Sequence, residues 1–248
     1  MFQPRVALAS LSGAADADWA RAAAEHVGCA FLGGIALDGA TREAARRLVE
    51  RDRSEFLPAD PVAFVDRQLS ALADSPLRPA FNVRSSSLPP IRRVGEVCAA
   101  HDAVLELNAH CRQDEMCAAG AGEALLRDTD RLAAQVRAAA ATGTPVSVKV
   151  RAEVGGVDLP AVCRAVESAG GDAVHVDAMD SESVVERVVA ATDLFVVANN
   201  GVRDRETARE YLGYGADAVS VGRPSDDPEV LADVRAATDE WFAAEVGP

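Results

Sequence analysis

Short runs of β-branched and aliphatic residues alternate along the chain with Ala-, Arg- and Glu-rich stretches of helical periodicity. The pattern predicts strands at Arg5–Leu11, Cys29–Gly33, Pro79–Val83, Ala103–Asn108, Pro145–Arg151, Asp172–Asp177, Leu194–Asn199 and Ala218–Gly222. Helices are predicted over Asp16–His26, Pro90–Ala100, Thr129–Ala141, Leu159–Ala169, Ser181–Ala190, Arg205–Tyr214 and Pro228–Ala243. Strand alternating with helix implies parallel strands joined by crossover helices. Eight such strands in 248 residues match a (β/α)8 TIM barrel, a fold of about 250 residues. An open doubly wound sheet is the alternative. Residues 1–248 read as a single α/β domain. Residues 34–78, between the second and third strands, hold two further helical patterns, Arg42–Arg51 and Pro61–Ala73. A bare loop of that length is unusual, so a helical insertion near the active face is expected.

The polar positions on the strands carry more information than the apolar ones. Side chains alternate between the two faces of a strand. In the fifth strand Val146, Val148 and Val150 share the face toward the helices, which leaves Ser147, Lys149 and Arg151 pointing inward. In the sixth, Ala173, His175 and Asp177 point inward; in the fourth, Glu106 and Asn108 do. Asn82 lies near the end of the third. Barrel interiors are normally filled by branched apolar side chains, and the catalytic face lies at the C-terminal strand ends. Inward polarity rising toward those ends points to a site there. The alternative is a self-contained buried network in which Glu106 pairs with Lys149 and Arg151, although such a network is often no better than apolar packing.

Charge sharpens this picture. There are 39 Asp+Glu against 25 Lys+Arg, a net charge of −14. That argues against a protein built mainly to grip phosphate backbones. It suits a halophilic cytoplasm, where salt screens the repulsion. Lys149 is the one lysine in the chain; every other cation is Arg. A lysine offers a compact charge and a pKa that shifts on burial, which Arg cannot mimic. Its place at a strand end therefore suggests a chemical requirement.

No run of about 18 apolar residues exists to span a membrane. The start, Met1-Phe2-Gln3-Pro4-Arg5, has no signal-peptide pattern. The cysteines, at 29, 98, 111, 117 and 163, are odd in number and show no C-x-x-C spacing. A reduced, cytoplasmic setting is expected, with no disulfide framework and no metal site. Cys29, Cys98 and Cys163 read as small buried hydrophobes. Cys111 lies beyond a strand end among polar residues and is a candidate for chemistry.

Three segments carry the motif signal. One is Leu107-Asn108-Ala109-His110-Cys111-Arg112, continuing into Gly120-Ala121-Gly122-Glu123-Ala124-Leu125-Leu126. The next is Val148-Lys149-Val150-Arg151. The last is Asn199-Asn200-Gly201-Val202, followed after one helix by Gly215-Ala216-Asp217-Ala218-Val219-Ser220-Val221-Gly222-Arg223. In order, they resemble the tRNA-dihydrouridine synthase family, flavin barrels related to dihydroorotate dehydrogenases. The family pattern runs L-N-x-G-C-P, G-x-G-x-x-L-L, V-K-x-R, V-H, N-G-D/V and G-A-D-x-V-x-x-G-R. Ala9-Ser10-Leu11-Ser12-Gly13-Ala14-Ala15-Asp16 is similar to its A-P-M-A-G-V-T-D opening.

The resemblance implies an FMN-dependent oxidoreductase acting on a C=C or CH–CH bond of a pyrimidine-like ring, with NAD(P)H as reductant. It makes Cys111 the general acid and sets Asn108 near the substrate ring, with Arg151 on the substrate side. Lys149 and His175 would contact FMN, and Asn82 stands where the family has a longer flavin-binding glutamine. Asn200, Gly201, Gly222 and Arg223 match the phosphate-holding loops. The chemistry is consistent: a lysine stabilises negative charge on a reduced flavin edge, and glycine N–H groups can approach a phosphate closely.

The chain also departs from the pattern. His110 replaces a glycine and Arg112 a proline beside the cysteine, and Val176-Asp177 replaces the usual G-R after His175. tRNA-modifying members carry a C-terminal RNA-binding domain. Residues 223–248 suffice only for the eighth helix, so a barrel-only relative is expected, with a small-molecule or nucleobase substrate favoured over tRNA. Three rival readings stay open: a dihydroorotate dehydrogenase-like oxidation, a Schiff-base lyase using Lys149, and a non-catalytic phosphate- or nucleotide-binding barrel.

Overall fold

A computed structural model describes residues 1–245. Eight parallel strands form a closed barrel: β1 (Val6–Leu8), β2 (Cys29–Ala36), β3 (Arg78–Arg84), β4 (Val104–Asn108), β5 (Val146–Arg151), β6 (Ala173–Asp177), β7 (Phe195–Asn199) and β8 (Ala218–Val221). Each strand pairs with its sequence neighbour, and β8 returns to β1. The open-sheet alternative is thereby overturned. β1 is shorter than the pattern suggested, with Ala9–Leu11 outside the strand although the Ala9 N–H still donates to the Val221 carbonyl. β2 is longer, running on through a register shift between Gly33 and Ile35.

The outward strand faces supply the main core. Val146, Val148 and Val150, with Val174, Val176, Val196, Val219 and Val221, pack against the apolar faces of the surrounding helices. Inside the barrel the floor is apolar: Ala7, Cys29, Phe31, Ala80, Val104, Val197 and Ala218, with Phe2 and Phe195 beneath. Above that floor the inward residues turn polar, as the alternation required.

Two helices, Gly39–Val49 and Pro61–Ser70, lie between β2 and β3, so the connection begins after Ala36 rather than at residue 34. The first is started by Asp38, which caps it in a box with Thr41. Asp38 also accepts hydrogen bonds from the hydroxyls of Ser85 (2.7 Å) and Ser86 (2.9 Å). Burial opposes its charge, but these bonds outweigh burial and hold its pKa below the usual value. One carboxylate thus clips the added helix to the loop that follows β3. Helix Arg205–Gly213 does the same near the other rim, where the Tyr211 hydroxyl donates to the Asn200 carbonyl (2.8 Å) and braces the loop after β7.

Candidate active site at the barrel mouth

Register decides which polar groups meet. Asn82 of β3 lies opposite Glu106 of β4, and Glu106 opposite Ser147 of β5. Lys149 lies opposite Asn108 and His175, one layer higher. Arg151 lies opposite Asp177, higher again.

Glu106 sits fully buried at the centre of the lower polar layer. It accepts from Asn82 Nδ2 (2.6 Å) and Ser147 Oγ (3.2 Å), and lies 2.8 Å from His175 Nδ1. The pairing of Glu106 with Lys149 and Arg151 that the alternative reading supposed does not form: Asn82, Ser147 and His175 occupy the two carboxylate oxygens, and neither cation lies within ion-pair distance of them. Burial alone would raise the Glu106 pKa, but the surrounding positive groups and hydrogen bonds bring it below the ordinary value. An ionised Glu106 fixes the tautomer of His175: Nδ1–H donates to the carboxylate, and Nε2 accepts from Ser220 Oγ at 2.7 Å. Burial and the nearby Lys149 ammonium push His175 below its usual pKa.

The chain of bonds continues upward. Asn108 Nδ2 donates to Asn82 Oδ1 (2.9 Å), and Asn108 Oδ1 accepts from the backbone N–H groups of His110 (3.2 Å) and Cys111 (2.9 Å). Asn108 therefore shapes the loop that presents Cys111. Both ends of the Asn82 amide are engaged in this network. The Cys111 side chain is half-buried against an apolar cluster of Ala36, Ala44, Ala45, Leu48, Met116 and Ala121. The buried Arg84 guanidinium stands beside it, paired with Glu55 and bonded to the Gly34 carbonyl. Burial pulls the Arg84 pKa down, but Glu55 and the neighbouring Cys111 outweigh this and raise it. Cys117 donates its thiol to the Cys111 carbonyl (3.5 Å), and both cysteines are free.

Lys149 is only 3% exposed, and among the described residues no carboxylate lies within ion-pair distance of its ammonium. Burial lowers its pKa, and the more distant charges of Glu106 and Asp177 offset this only in part. Arg151, also buried, pairs with Glu123 (3.0 Å) and leaves its Nε without a partner. It borders a cavity of about 310 Å³ lined also by Glu153, Val154, Ser181 and Arg187.

On the opposite rim, Asn200 and Gly201 both adopt left-handed backbone (φ 91° and 72°), and a Cβ built on Gly222 meets nothing within 4 Å. Arg223 is exposed and, among the described residues, has no carboxylate partner. The Asn200 amide turns away from these glycines and donates to Asp177 Oδ1 (3.1 Å). Asp177 in turn holds His110, with Oδ2 2.8 Å from Nε2. Burial opposes its charge, but the contact with His110 brings the Asp177 pKa down to about 2.

Residues 96–245 match the dihydrouridine synthase family. The chain belongs to that family. An uncharacterized protein, MJ0144, from Methanocaldococcus jannaschii is 26% identical over 230 residues, covering 88% of each chain. Among solved structures, DHODH from Eimeria tenella in complex with ferulenol superposes with a TM-score of 0.72 at 15% identity, over 98% of this chain and 82% of that one. FabK from Thermotoga maritima gives 0.60 at 17% identity over 90% of this chain, which spans only 59% of FabK. 3-Hexulose-6-phosphate synthase from Salmonella typhimurium gives 0.57 at 13% identity, over 96% of this chain and 99% of that one. These likenesses at low identity establish the barrel fold.

Within this dihydrouridine synthase barrel, Asn82, Asn108, Cys111, Lys149, Arg151 and His175 gather at or beneath the mouth. Asn200, Gly201, Gly222 and Arg223 form the β7–β8 rim. Sequence reasoning did not single out Arg84, Glu55, Ser220 or the pairing of His110 with Asp177. Arg84 shares the parity of Asn82 and Ser220 that of Ala218, so extending the alternation would have found both; Asp177 was already placed inward, and only its partner was missed. Glu55 lies in the connection and carries no such signal.

Proposed function

We propose that the chain is an FMN-dependent oxidoreductase acting at a C=C or CH–CH bond of a pyrimidine-like ring. The observation that carries this reading is the Lys149 ammonium, buried at the mouth with no carboxylate within ion-pair distance among the described residues. A buried cation without a partner is costly unless a ligand completes it. The polar edge of a flavin ring is such a ligand, and the open glycines of the β7–β8 rim, with Arg223, suit its phosphate. When bound, a flavin exchanges hydride with the substrate.

The protein's own residues do the rest. Glu106 and Ser220 fix the His175 ring beside Lys149. Asn108 holds the Cys111 loop in place. Cys111 and His110 are the groups at the mouth that can carry a proton. The ligand is a small molecule or a nucleobase, and NAD(P)H is the electron donor when the reaction runs toward reduction. The purified protein should be yellow, with flavin absorbance bands and FMN released on denaturation. A colourless protein that takes up no added FMN contradicts the reading.

One observation favours a second reading. The Lys149 amine, held below its ordinary pKa by burial, is the kind that forms a Schiff base. Borohydride trapping with a carbonyl compound and a mass increase at Lys149 would support it.

A further inference from the structure

The cavity of about 310 Å³ opens between the loop after β5 and the loop after β6. Pockets for small molecules begin at about 300 Å³. Its wall is apolar at Leu159 and Val184 and cationic at Arg151 and Arg187. Ser181 and Ser183 add hydroxyls, and Glu153 adds a carboxylate. That carboxylate is already engaged, for its Oε1 accepts from Ser181 Oγ at 2.7 Å. The bond runs from one loop to the other and holds the two walls together.

The arginines, in contrast, have donors to spare. Arg151 spends Nη1 on Glu123 (3.0 Å). Its Nη2 makes no hydrogen bond among the described residues and, unlike Nε, is not fully buried, so a ligand can reach it. Arg187, on the helix Val184–Val189, is exposed, and among the described residues no carboxylate lies within ion-pair distance of it. A guanidinium offers a fork of N–H groups that matches the two oxygens of a carboxylate or a phosphate. In a chain of net charge −14, two arginines around one engaged carboxylate form a local excess of positive charge, which draws an anion. Arg151 is the last residue of β5 and shares the inward face of Lys149, so the cavity borders the mouth along Arg151.

We propose that this cavity is the subsite for an oxyanion group, a carboxylate or a phosphate, carried by the ring substrate, and that Arg187 with Arg151 makes the chain select an acidic pyrimidine over its neutral counterpart. The inference rests on the pyrimidine-like ring of the reading above and adds the charge of its substituent. The arginines bind and orient; they take no part in proton or hydride transfer. A neutral ring gives them no counter-charge. Arg151, with its side chain only 8% exposed, has little water to stand in for that missing partner.

The test is isothermal titration of the full-length protein with two matched pairs of compounds: orotate against uracil for a carboxylate, and uridine monophosphate against uridine for a phosphate. It is run with FMN added and again without FMN. At least one acid should bind about tenfold or more tighter than its neutral partner, and the pair that shows the preference assigns the group. Arg187→Gln, a change at an exposed position, should weaken that acid about tenfold or more and its neutral partner far less, with the melting midpoint unchanged. Added potassium chloride should shrink the preference as well. Equal affinity within both pairs, a preference that Arg187→Gln leaves intact, or a wild type that binds none of the four compounds overturns the inference. A protein that takes up no FMN but keeps an acid preference that Arg187→Gln removes overturns the flavin reading and leaves the subsite standing.

Discussion

Glu106 shows how a single buried charge organises the barrel interior. Its carboxylate satisfies Asn82, Ser147 and His175 together, in a layer where none of them reaches water. Replacing it with Ala removes all three bonds and leaves Lys149 with one less counter-charge. The expected loss is about 3–5 kcal/mol, read as a lower denaturation midpoint. Glu106→Gln keeps the shape and should lose less. The Arg84–Glu55 pair obeys the same rule. Arg84→Met alone strands a buried carboxylate, whereas Arg84→Met with Glu55→Gln should lose less than the two single changes summed, in a double-mutant cycle.

Protonation at these residues sets the acid limit of stability. His110 and His175 are harder to protonate in the fold than in the unfolded chain. As pH falls below about 6.5 the unfolded chain takes up more protons, so stability drops. The Asp177 carboxylate, at about 2 in the fold, adds stability above about pH 4 that is lost as pH falls toward its folded value. Both effects run the same way. Thermal melts should give a higher midpoint at pH 7.5 than at pH 5, and a flat profile across that range would contradict the assignments.

At the scale of elements, the loop after β4 is tightly specified. Gly122 has φ 62°, and a Cβ there would lie 2.2 Å from the Cys111 carbonyl oxygen. Gly122→Ala should therefore destabilise the protein and alter the alkylation rate of Cys111, measured by mass spectrometry. An unchanged rate would mean that the loop does not depend on that glycine. Much of this was legible in the sequence. Alternation along β5 and β6 put Lys149, Arg151, His175 and Asp177 inside, because a strand has only two faces. What alternation does not contain is stagger between strands. It could not show which side chains reach Glu106, and in place of the ion network weighed as the alternative the carboxylate is taken up by Asn82, Ser147 and His175. Glu55 beside Arg84, and Ala44, Ala45 and Leu48 beside Cys111, come from the β2–β3 connection, whose path depends on tertiary contacts such as Asp38 with Ser85 and Ser86.

For the whole molecule, closing the barrel joins residues from nearly every strand into one mouth, with an apolar floor, a neutralising polar layer and an unpaired cation above it. The exterior carries the net charge of −14. Self-repulsion of that size is relieved by screening, so raising potassium chloride from 0.1 to 2 M should raise the melting midpoint by several degrees. No change would remove the link between the acidity and high salt. The family places the chain among dihydrouridine synthases, and the central claim is that its mouth holds a flavin through Lys149. Titration of the protein with FMN, followed by quenching of flavin fluorescence, tests that claim most directly. The account predicts saturation at one FMN per chain and an affinity at least about tenfold weaker in Lys149→Met. No quenching in the wild type, or equal affinity in the variant, would contradict it.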